Sequence, residues 1–252
     1  LCMQGSANAF SVRIDERIIS EINNTEEAYK KLSEPSCRFN IWDDKKPFHV
    51  ERTAIGMSKM RIDRKGESPD NEFVLTLPQI PTRVWMQVTK LFKKMSLRGC
   101  EAVAQILFNL KTRQWSVIIP EQFVSETHCD YDPEMAETIC AYSEDTILVM
   151  DIHSHHKMYP FFSSVDDQDE QGSRLYAVWG NHDYNADYEI SVRAGCQGRF
   201  CRLAPEDIFE GYADRMMNPE NYASNTVSMD WLQNIHMTDA GKIVDISSYC
   251  VC

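Results

Sequence analysis

The sequence predicts an α/β (α+β) fold in which helices flank a mixed β-sheet. Segments with apolar residues at helical spacing alternate with short apolar runs typical of strands. The length of 252 residues, with 43% apolar and 25% charged residues, is ordinary for a globular protein. Such a chain can form one large domain with extensions.

The N-terminal region gives the weakest signals. We predict a strand over Phe10–Ile14 and a polar helix over Ser20–Leu32. A polar segment with both Gly and Pro predicts a loop over residues 64–71, where we place a boundary. The predicted parts are an N-terminal segment (1–70) of strands and a polar helix, a central domain (71–212) and a C-terminal extension (213–252).

The central domain gives clearer signals. Phe73–Leu77 predicts a short strand, and Pro81 begins an amphipathic helix that Gly99 ends. Two helical patterns follow at the end, over Pro205–Tyr212 and Met229–His236. Between them and the first helix we predict strands over Ala102–Leu110, Trp115–Ile119, Thr146–Ile152, Leu175–Gly180 and Tyr188–Val192, and a helix over Pro133–Ala141.

Two histidines stand two residues apart at the end of the apolar Thr146–Ile152 run. Residues i and i+2 of a strand point to the same side, so His153 and His155 present two imidazoles in one direction. Asp166 follows in the first turn of a short acidic helix and can reach a metal held by the histidines. Two imidazoles and one carboxylate are a zinc ligand set that leaves a position open for water, which favours one catalytic zinc per chain.

A competing interpretation concerns Ser163 and Asp166. The spacing Ser-x-x-Asp is close to a capping box, and acidic residues in a first helical turn are favoured by the helix dipole alone. Taken singly, Asp166 is more simply a helix cap. Its occurrence a short loop after a His-x-His pair at a strand end favours the metal site.

The joint pattern, His-x-His-x₇-Ser-x₂-Asp, resembles the motif of the MPN/JAB family, the JAMM zinc metalloproteases. The resemblance covers roughly Phe73 to Phe209 and implies an MPN/JAB, cytidine-deaminase-like architecture. The order of elements is also similar: an amphipathic helix, a strand headed by a glutamate, a second strand, and a later strand that ends in the histidines.

The resemblance implies a role for each residue. His153, His155 and Asp166 would bind zinc, Glu101 would be the general base for the water, and Ser163 would donate a hydrogen bond to the oxyanion. The chemistry suits these roles, since zinc activates water and a nearby carboxylate can take its proton. Pattern alone does not separate Glu101 from the other acidic candidates, which are Glu121, Glu126, Glu137 and Glu144.

Two positions depart from the family pattern. Many members have proline where this chain has His156, and glycine where it has Ala104, so the motif is more similar to bacterial and phage-type branches. We expect His156 to be an exposed loop histidine rather than a substrate contact or a supporting group. Asp151 is a candidate for orienting a ligand histidine.

The resemblance implies a zinc-dependent peptidase or isopeptidase that cleaves after the C-terminal tail of a ubiquitin-like or sulfur-carrier protein. A ubiquitin-like β-grasp partner, and an E1-like enzyme as a further candidate partner, follow from it. A non-catalytic MPN scaffold is the alternative, and hydrolysis of another amide is a third possibility. The Pro-Cys-x-x-Cys deaminase signature is absent, which disfavours base deamination.

Composition excludes several classes. The net charge of −12 argues against nonspecific nucleic-acid binding, and the basic stretch Lys45–Lys65 predicts a solvated strand or hairpin face. No apolar run reaches the roughly 18 residues of a membrane helix, and no signal peptide is expected. Nine scattered cysteines indicate a reduced, cytoplasmic protein. A structural zinc on Cys196/Cys201 and Cys250/Cys252 is less favoured than buried or incidental thiols.

Overall fold

The computed structural model describes residues 30–31, 33–43, 45–132, 135, 140, 143, 145–181, 188–217, 227–239 and 242–244. Within them the fold is mixed α and β and consists mostly of strands, which confirms the predicted class. The strand predicted over Phe10–Ile14, and most of the helices predicted over Ser20–Leu32 and Pro133–Ala141, lie outside the described residues.

The strands are named in chain order. They are β1 (Cys37–Asp43), β2 (Lys46–Arg52), β3 (Gly56–Arg61), β4 (Gly66–Glu67), β5 (Glu72–Leu75), β6 (Val103–Asn109), β7 (Gln114–Ile118), β8 (Gln122–Val124), β9 (Cys129–Tyr131), β10 (Thr146–Ser154), β11 (Leu175–Gly180), β12 (Glu189–Cys196), β13 (Arg199–Leu203), β14 (Ile235–Asp239) and β15 (Lys242–Val244). The helices are α1 (Thr82–Ser96), α2 (Ser164–Asp169), α3 (Pro205–Ile208), α4 (Tyr212–Met217) and α5 (Met229–Gln233). In the part of the chain that the structure describes, no helix has the length and apolar character needed to cross a membrane.

Contacts group the chain into two units, each assembled from separate stretches. The first unit comprises Leu1–Pro78, Ser163–Leu175 and Arg193–Leu203; the second comprises Gln79–Phe162, Tyr176–Val192 and Ala204–Cys252. The division predicted at residues 70 and 212 stays a prediction, because most of the N- and C-terminal segments lies outside the described residues.

The first unit contains an antiparallel sheet with the order β1-β2-β3-β5. One face of this sheet is apolar, and its buried cluster consists of Cys37, Phe39, Ile41, Phe48, Val50 and Met57. The short strand β4 pairs in parallel with β13. The segment predicted as a loop over residues 64–71 therefore contains two residues of paired strand.

The basic stretch Lys45–Lys65 was predicted to be solvated, and this is wrong for two of its cations. Lys59 and Arg61 are buried on β3, with 3% and 5% of their surface exposed. Lys59 pairs with Glu72 at 3.1 Å, and Arg61 pairs with Asp70 at 2.6 Å. The Lys59 ammonium also lies over the Phe48 ring, 4.5 Å from the centroid of that ring. A buried cation needs such partners, and acidic residues both near in sequence and farther along the chain supply them.

In the second unit, α1 confirms the predicted amphipathic helix. Pro81 is its N-cap, and Gly99 follows its end with φ of +70°, a conformation that glycine adopts without strain. The buried residues of this helix include Val84, Trp85, Val88, Leu91, Phe92 and Met95. Phe92 packs edge-on against Trp179 of β11, with 5.9 Å between the ring centroids.

A seven-stranded mixed sheet has the order β4-β13-β12-β11-β10-β6-β7. β6 pairs antiparallel with β7 and β10, and the β10 register shifts between Leu148 and Met150. The interior strand β10 runs to Ser154, two residues past the predicted end. It therefore includes the first histidine of the motif.

The predicted C-terminal helices are shorter than the patterns suggested. The pattern over Pro205–Tyr212 contains α3, and a second short helix begins at Tyr212. The helix predicted through His236 is wrong at its end, because α5 stops at Gln233 and Ile235 begins β14. β14 pairs in parallel with β8, so a distant strand overrides the local helical pattern.

Candidate metal centre

The two motif histidines converge at the end of β10, as the strand spacing predicts. The Nε2 atoms of His153 and His155 lie 3.2 Å apart, and their ring centroids lie 5.0 Å apart. His153 is half-buried and His155 is buried. Ser154 between them is fully buried, and its Oγ accepts a hydrogen bond from the Ala102 amide at 3.0 Å.

The backbone around His155 sets the direction of its ring. The His155 amide donates to the carbonyl of Trp179 on β11 at 2.7 Å, and its Nδ1 lies 3.3 Å from the carbonyl oxygen of Tyr159. When Nδ1 carries the proton and donates to that carbonyl, the lone pair is on Nε2, the atom that converges with His153. A backbone carbonyl therefore orients the ligand histidine.

Asp151 has a different observed partner. Its Oδ1 accepts a hydrogen bond from Gln105 Nε2 at 2.9 Å, across the β10–β6 pair. Its role in orienting a ligand histidine stays a prediction.

The loop after His155 is packed tightly against β11. A Cβ atom on Gly180 would lie 2.3 Å from the Met158 carbonyl oxygen and 2.5 Å from the Pro160 nitrogen, so only glycine fits. The Asn181 amide also donates to the Met158 carbonyl at 2.7 Å. These contacts hold the loop, and with it the Tyr159 carbonyl, beside the histidines.

His156 differs from the prediction of an exposed loop histidine. Only 7% of its surface is exposed, and its Nε2 lies 2.8 Å from the Glu126 carbonyl oxygen. Its Nδ1 is buried and has no hydrogen-bond partner among the described residues. The residue has φ of +37°, which the ring of proline cannot adopt. The departure from the proline of the family pattern therefore agrees with the local backbone.

Ser163 and Asp166 form the capping box that the competing interpretation predicts. The Ser163 Oγ accepts from the Asp166 amide at 3.2 Å, and the Asp166 carboxylate accepts from the Ser163 amide. Capping does not exclude metal binding, because a carboxylate offers about four lone-pair directions on its two oxygens. The same contacts fix the position of the carboxylate at the start of α2.

A buried arginine supports this helix. Arg193 on β12 donates to Glu170 Oε2 from Nε at 2.8 Å and to Asp167 Oδ1 from Nη1 at 2.6 Å. Its guanidinium lies 3.6 Å from the centroid of the Phe200 ring, and 1% of the residue is exposed. A planar guanidinium makes such paired contacts with carboxylates, which fixes α2 at two positions.

His153 and His155 converge within the second unit, and the assignment of Asp166 as the third ligand of this first group stays a prediction. Within the first unit a second group of candidate ligands is found among the described residues, with one ligand atom from each of His49, Glu51 and Cys196 within 4.8 Å of the others. The sequence did not indicate that group, because Cys196 is distant from the other two and only the fold brings them together.

Glu101 lies beside the histidine strand. Val103 pairs with His153, and the Ser154 amide donates to the Ala102 carbonyl at 2.9 Å. Glu101 is the residue before Ala102 and lies just outside the paired strands. Burial and, after it, the negative charge of Glu101 raise the pKa of the Cys129 thiol to about 12, so the two side chains share one neighbourhood. Glu101 is half-buried, and its side chain is not a member of the ligand group.

Comparison with known proteins adds no relative. No family model matches this chain, and no curated protein matches its sequence. The resemblance to the MPN/JAB family therefore rests on the motif and on the order of the elements.

Proposed function

We propose that this protein is a zinc-dependent metallopeptidase or isopeptidase of MPN/JAB architecture. The convergence of His153 and His155, whose Nε2 atoms lie 3.2 Å apart, is the observation that carries the proposal, and Asp166 at the start of α2 is the proposed third ligand. Two imidazoles and a carboxylate suit zinc and leave a fourth position for water. Zinc bound there would lower the pKa of that water to about 7 and polarise the scissile carbonyl.

Glu101 is the proposed general base. Its position next to Ala102, whose carbonyl accepts from the amide of Ser154 between the two histidines, supports this role. A carboxylate there would take the proton of the attacking water and pass it to the leaving amine, a contribution of about 10²- to 10⁴-fold in rate.

Ser163 is the proposed oxyanion donor. Its Oγ accepts a hydrogen bond from the Asp166 amide, and a hydroxyl can accept and donate at the same time. The Ser163 O–H would donate to the oxygen of the scissile carbonyl as negative charge develops there. Removing one such donor costs about 10²- to 10³-fold in rate in other enzymes.

The proposed substrate is an extended C-terminal tail of a ubiquitin-like or sulfur-carrier protein. Met158, Tyr159 and Phe161 expose 39%, 66% and 50% of their surface in the loop after His155. The Phe161 ring lies 4.8 Å from the His155 ring. Exposed apolar side chains beside the histidines would pack against an extended peptide.

Metal content and cleavage test the proposal together. The variants His153→Ala and Asp166→Ala should each bind one zinc equivalent less than wild type. The variant His236→Ala, on β14, should keep the wild-type zinc content. Glu101→Gln should retain the zinc and slow cleavage by at least about 100-fold. The substrates are fusions of candidate β-grasp proteins with extended C-terminal tails. Equal metal content in wild type and His153→Ala, without cleavage, would favour the scaffold alternative.

A further inference from the structure

The second ligand group lies in the first unit and shares no residue with the proposed active site. One ligand atom from each of His49, Glu51 and Cys196 lies within 4.8 Å of the others. Glu51 and Cys196 are buried, with 3% and 1% of their surface exposed, and His49 is half-buried. An imidazole, a carboxylate and a thiol thus converge inside the protein.

Strand geometry places the first two residues of this group. His49 and Glu51 are two residues apart on β2, so their side chains leave the same side of the sheet. The neighbouring strands fix their positions, since His49 pairs with Asn40 of β1 and Glu51 pairs with Ser58 of β3. Cys196, the last residue of β12, completes the group.

Polar neighbours hold each member in place. Nδ1 of His49 lies 2.9 Å from Asn40 Oδ1, and Glu51 accepts from Arg38 Nη2 at 2.7 Å and from the Ser173 hydroxyl. Metal-binding histidines and carboxylates are commonly oriented by such outer contacts. When Nδ1 donates to Asn40, the lone pair of the ring is on Nε2, which would be the ligand atom.

The cysteine supplies a potential thiolate. Its Sγ donates to Glu51 Oε2 at 3.1 Å, and burial followed by this hydrogen bond raises the pKa of the Cys196 thiol to about 11. Without metal it is therefore a neutral thiol. Binding of a divalent cation would replace this S–H···O contact, and the thiol proton would leave to solvent.

We propose that His49, Glu51 and Cys196 bind a divalent transition-metal ion, for which zinc is the best match. Imidazole and thiolate ligands favour zinc over magnesium or calcium, and zinc accepts a carboxylate oxygen beside them. Together, a divalent ion, the two anionic ligands and the adjacent Arg38 guanidinium would have one net positive charge. The burial of the group points to a structural site.

Cobalt substitution tests this site separately from the first. Metal-free full-length protein is titrated with Co²⁺, and the intense near-ultraviolet absorption of a cobalt–thiolate bond is recorded. The first group contains no thiol, so this absorption reports only the second. We expect it in wild type and in His153→Ala, together with the release of about one proton for each thiolate formed.

Cys196→Ser should remove the absorption and weaken binding of one metal equivalent at least about 10-fold. Cys201→Ser is the matched control, since Cys201 is also buried and the pKa of its thiol is also raised to about 11 by burial. His49→Gln, at a half-buried position, gives a second test if Cys196→Ser does not fold. Absence of the absorption in wild type, or its persistence in Cys196→Ser, would overturn the proposal. Loss of zinc in His153→Ala bears only on the proposed active site.

Discussion

The two ligand groups use the same strand geometry in different surroundings. Each begins with two residues at i and i+2 along an extended segment: His153 on β10 with His155 just after its end, and His49 with Glu51 on β2. The first group has two imidazoles and a carboxylate, and it adjoins a loop with exposed aromatic side chains. The second contains a thiol, and two of its three members are buried. Both groups supply three ligands, so their burial and surroundings, rather than the number of ligands, separate a proposed catalytic site from a proposed stabilising one.

The supporting contacts of the two groups also differ. Backbone atoms orient the first group, through the Tyr159 carbonyl at His155 and the Ser163 amide at Asp166. Side chains orient the second, through Asn40 at His49 and Arg38 at Glu51. Substitution can therefore remove the support of the second group one contact at a time, whereas the support of the first depends on the course of the chain.

The largest expected effect is a difference between two histidine variants, of which one loses mainly activity and the other mainly stability. His153→Ala should reduce cleavage by at least about 10³-fold, because the attacking water loses its metal, and it should lower the thermal midpoint less than loss of the buried site does. His49→Ala should keep cleavage within about twofold and lower the midpoint by several degrees, because bound metal stabilises the folded state. Cleavage assays and thermal unfolding of the zinc-loaded proteins measure both. A His49→Ala variant with wild-type stability would contradict a stabilising role for metal at the second group.

Arg193 gives the next largest effect, on the support of the first group. Arg193→Met leaves the largely buried Glu170 without its cation, whereas the half-exposed Asp167 can be solvated, so the free energy of unfolding should fall by about 1–3 kcal/mol. Arg193→Lys keeps the charge but not the planar fork, so its loss should be smaller. Urea denaturation measures both variants.

Zinc affinity separates two roles for this arginine. If Arg193 positions the helix that carries Asp166, Arg193→Lys should weaken zinc binding at the first group by about 10- to 100-fold. Unchanged affinity in a folded Arg193→Lys protein would assign Arg193 to stability alone.

The parts of the molecule that could be predicted from sequence depend on local spacing. The helix α1, the strands β6, β7, β10 and β11, and the convergence of His153 with His155 all follow from patterns a few residues long. The capping box at Ser163 is equally local. Each of these features is set by backbone geometry over one or two turns or pleats, so the sequence contains the information directly.

The parts that could not be predicted depend on distant partners. Cys196 contacts Glu51 across 145 residues of sequence, and no spacing rule connects them. Lys59 is buried because Glu72 and the Phe48 ring are brought to it by the fold. The burial of His156 could not be predicted, because its partner, the carbonyl of Glu126, belongs to another segment of the chain. Residue type alone favours solvent exposure for Lys59 and does not decide between burial and exposure for His156.

The smallest expected effect on stability separates the two roles of Ser163. Ser163→Ala removes the N-cap oxygen of α2 and should cost about 0.5–2 kcal/mol, whereas Ser163→Gly should cost only a few tenths of a kcal/mol, since glycine is tolerated at this position. Both variants lack the hydroxyl. If the hydroxyl stabilises the oxyanion, both should lose about 10²- to 10³-fold in kcat despite their different stabilities. If Ser163 only caps the helix that presents Asp166, the glycine variant should cleave nearly as fast as wild type and bind zinc equally well. Both kcat and the free energy of unfolding are measured on the same two proteins. An equal loss of kcat in the two variants, together with unequal losses of stability, would assign the serine to the chemistry of the first group.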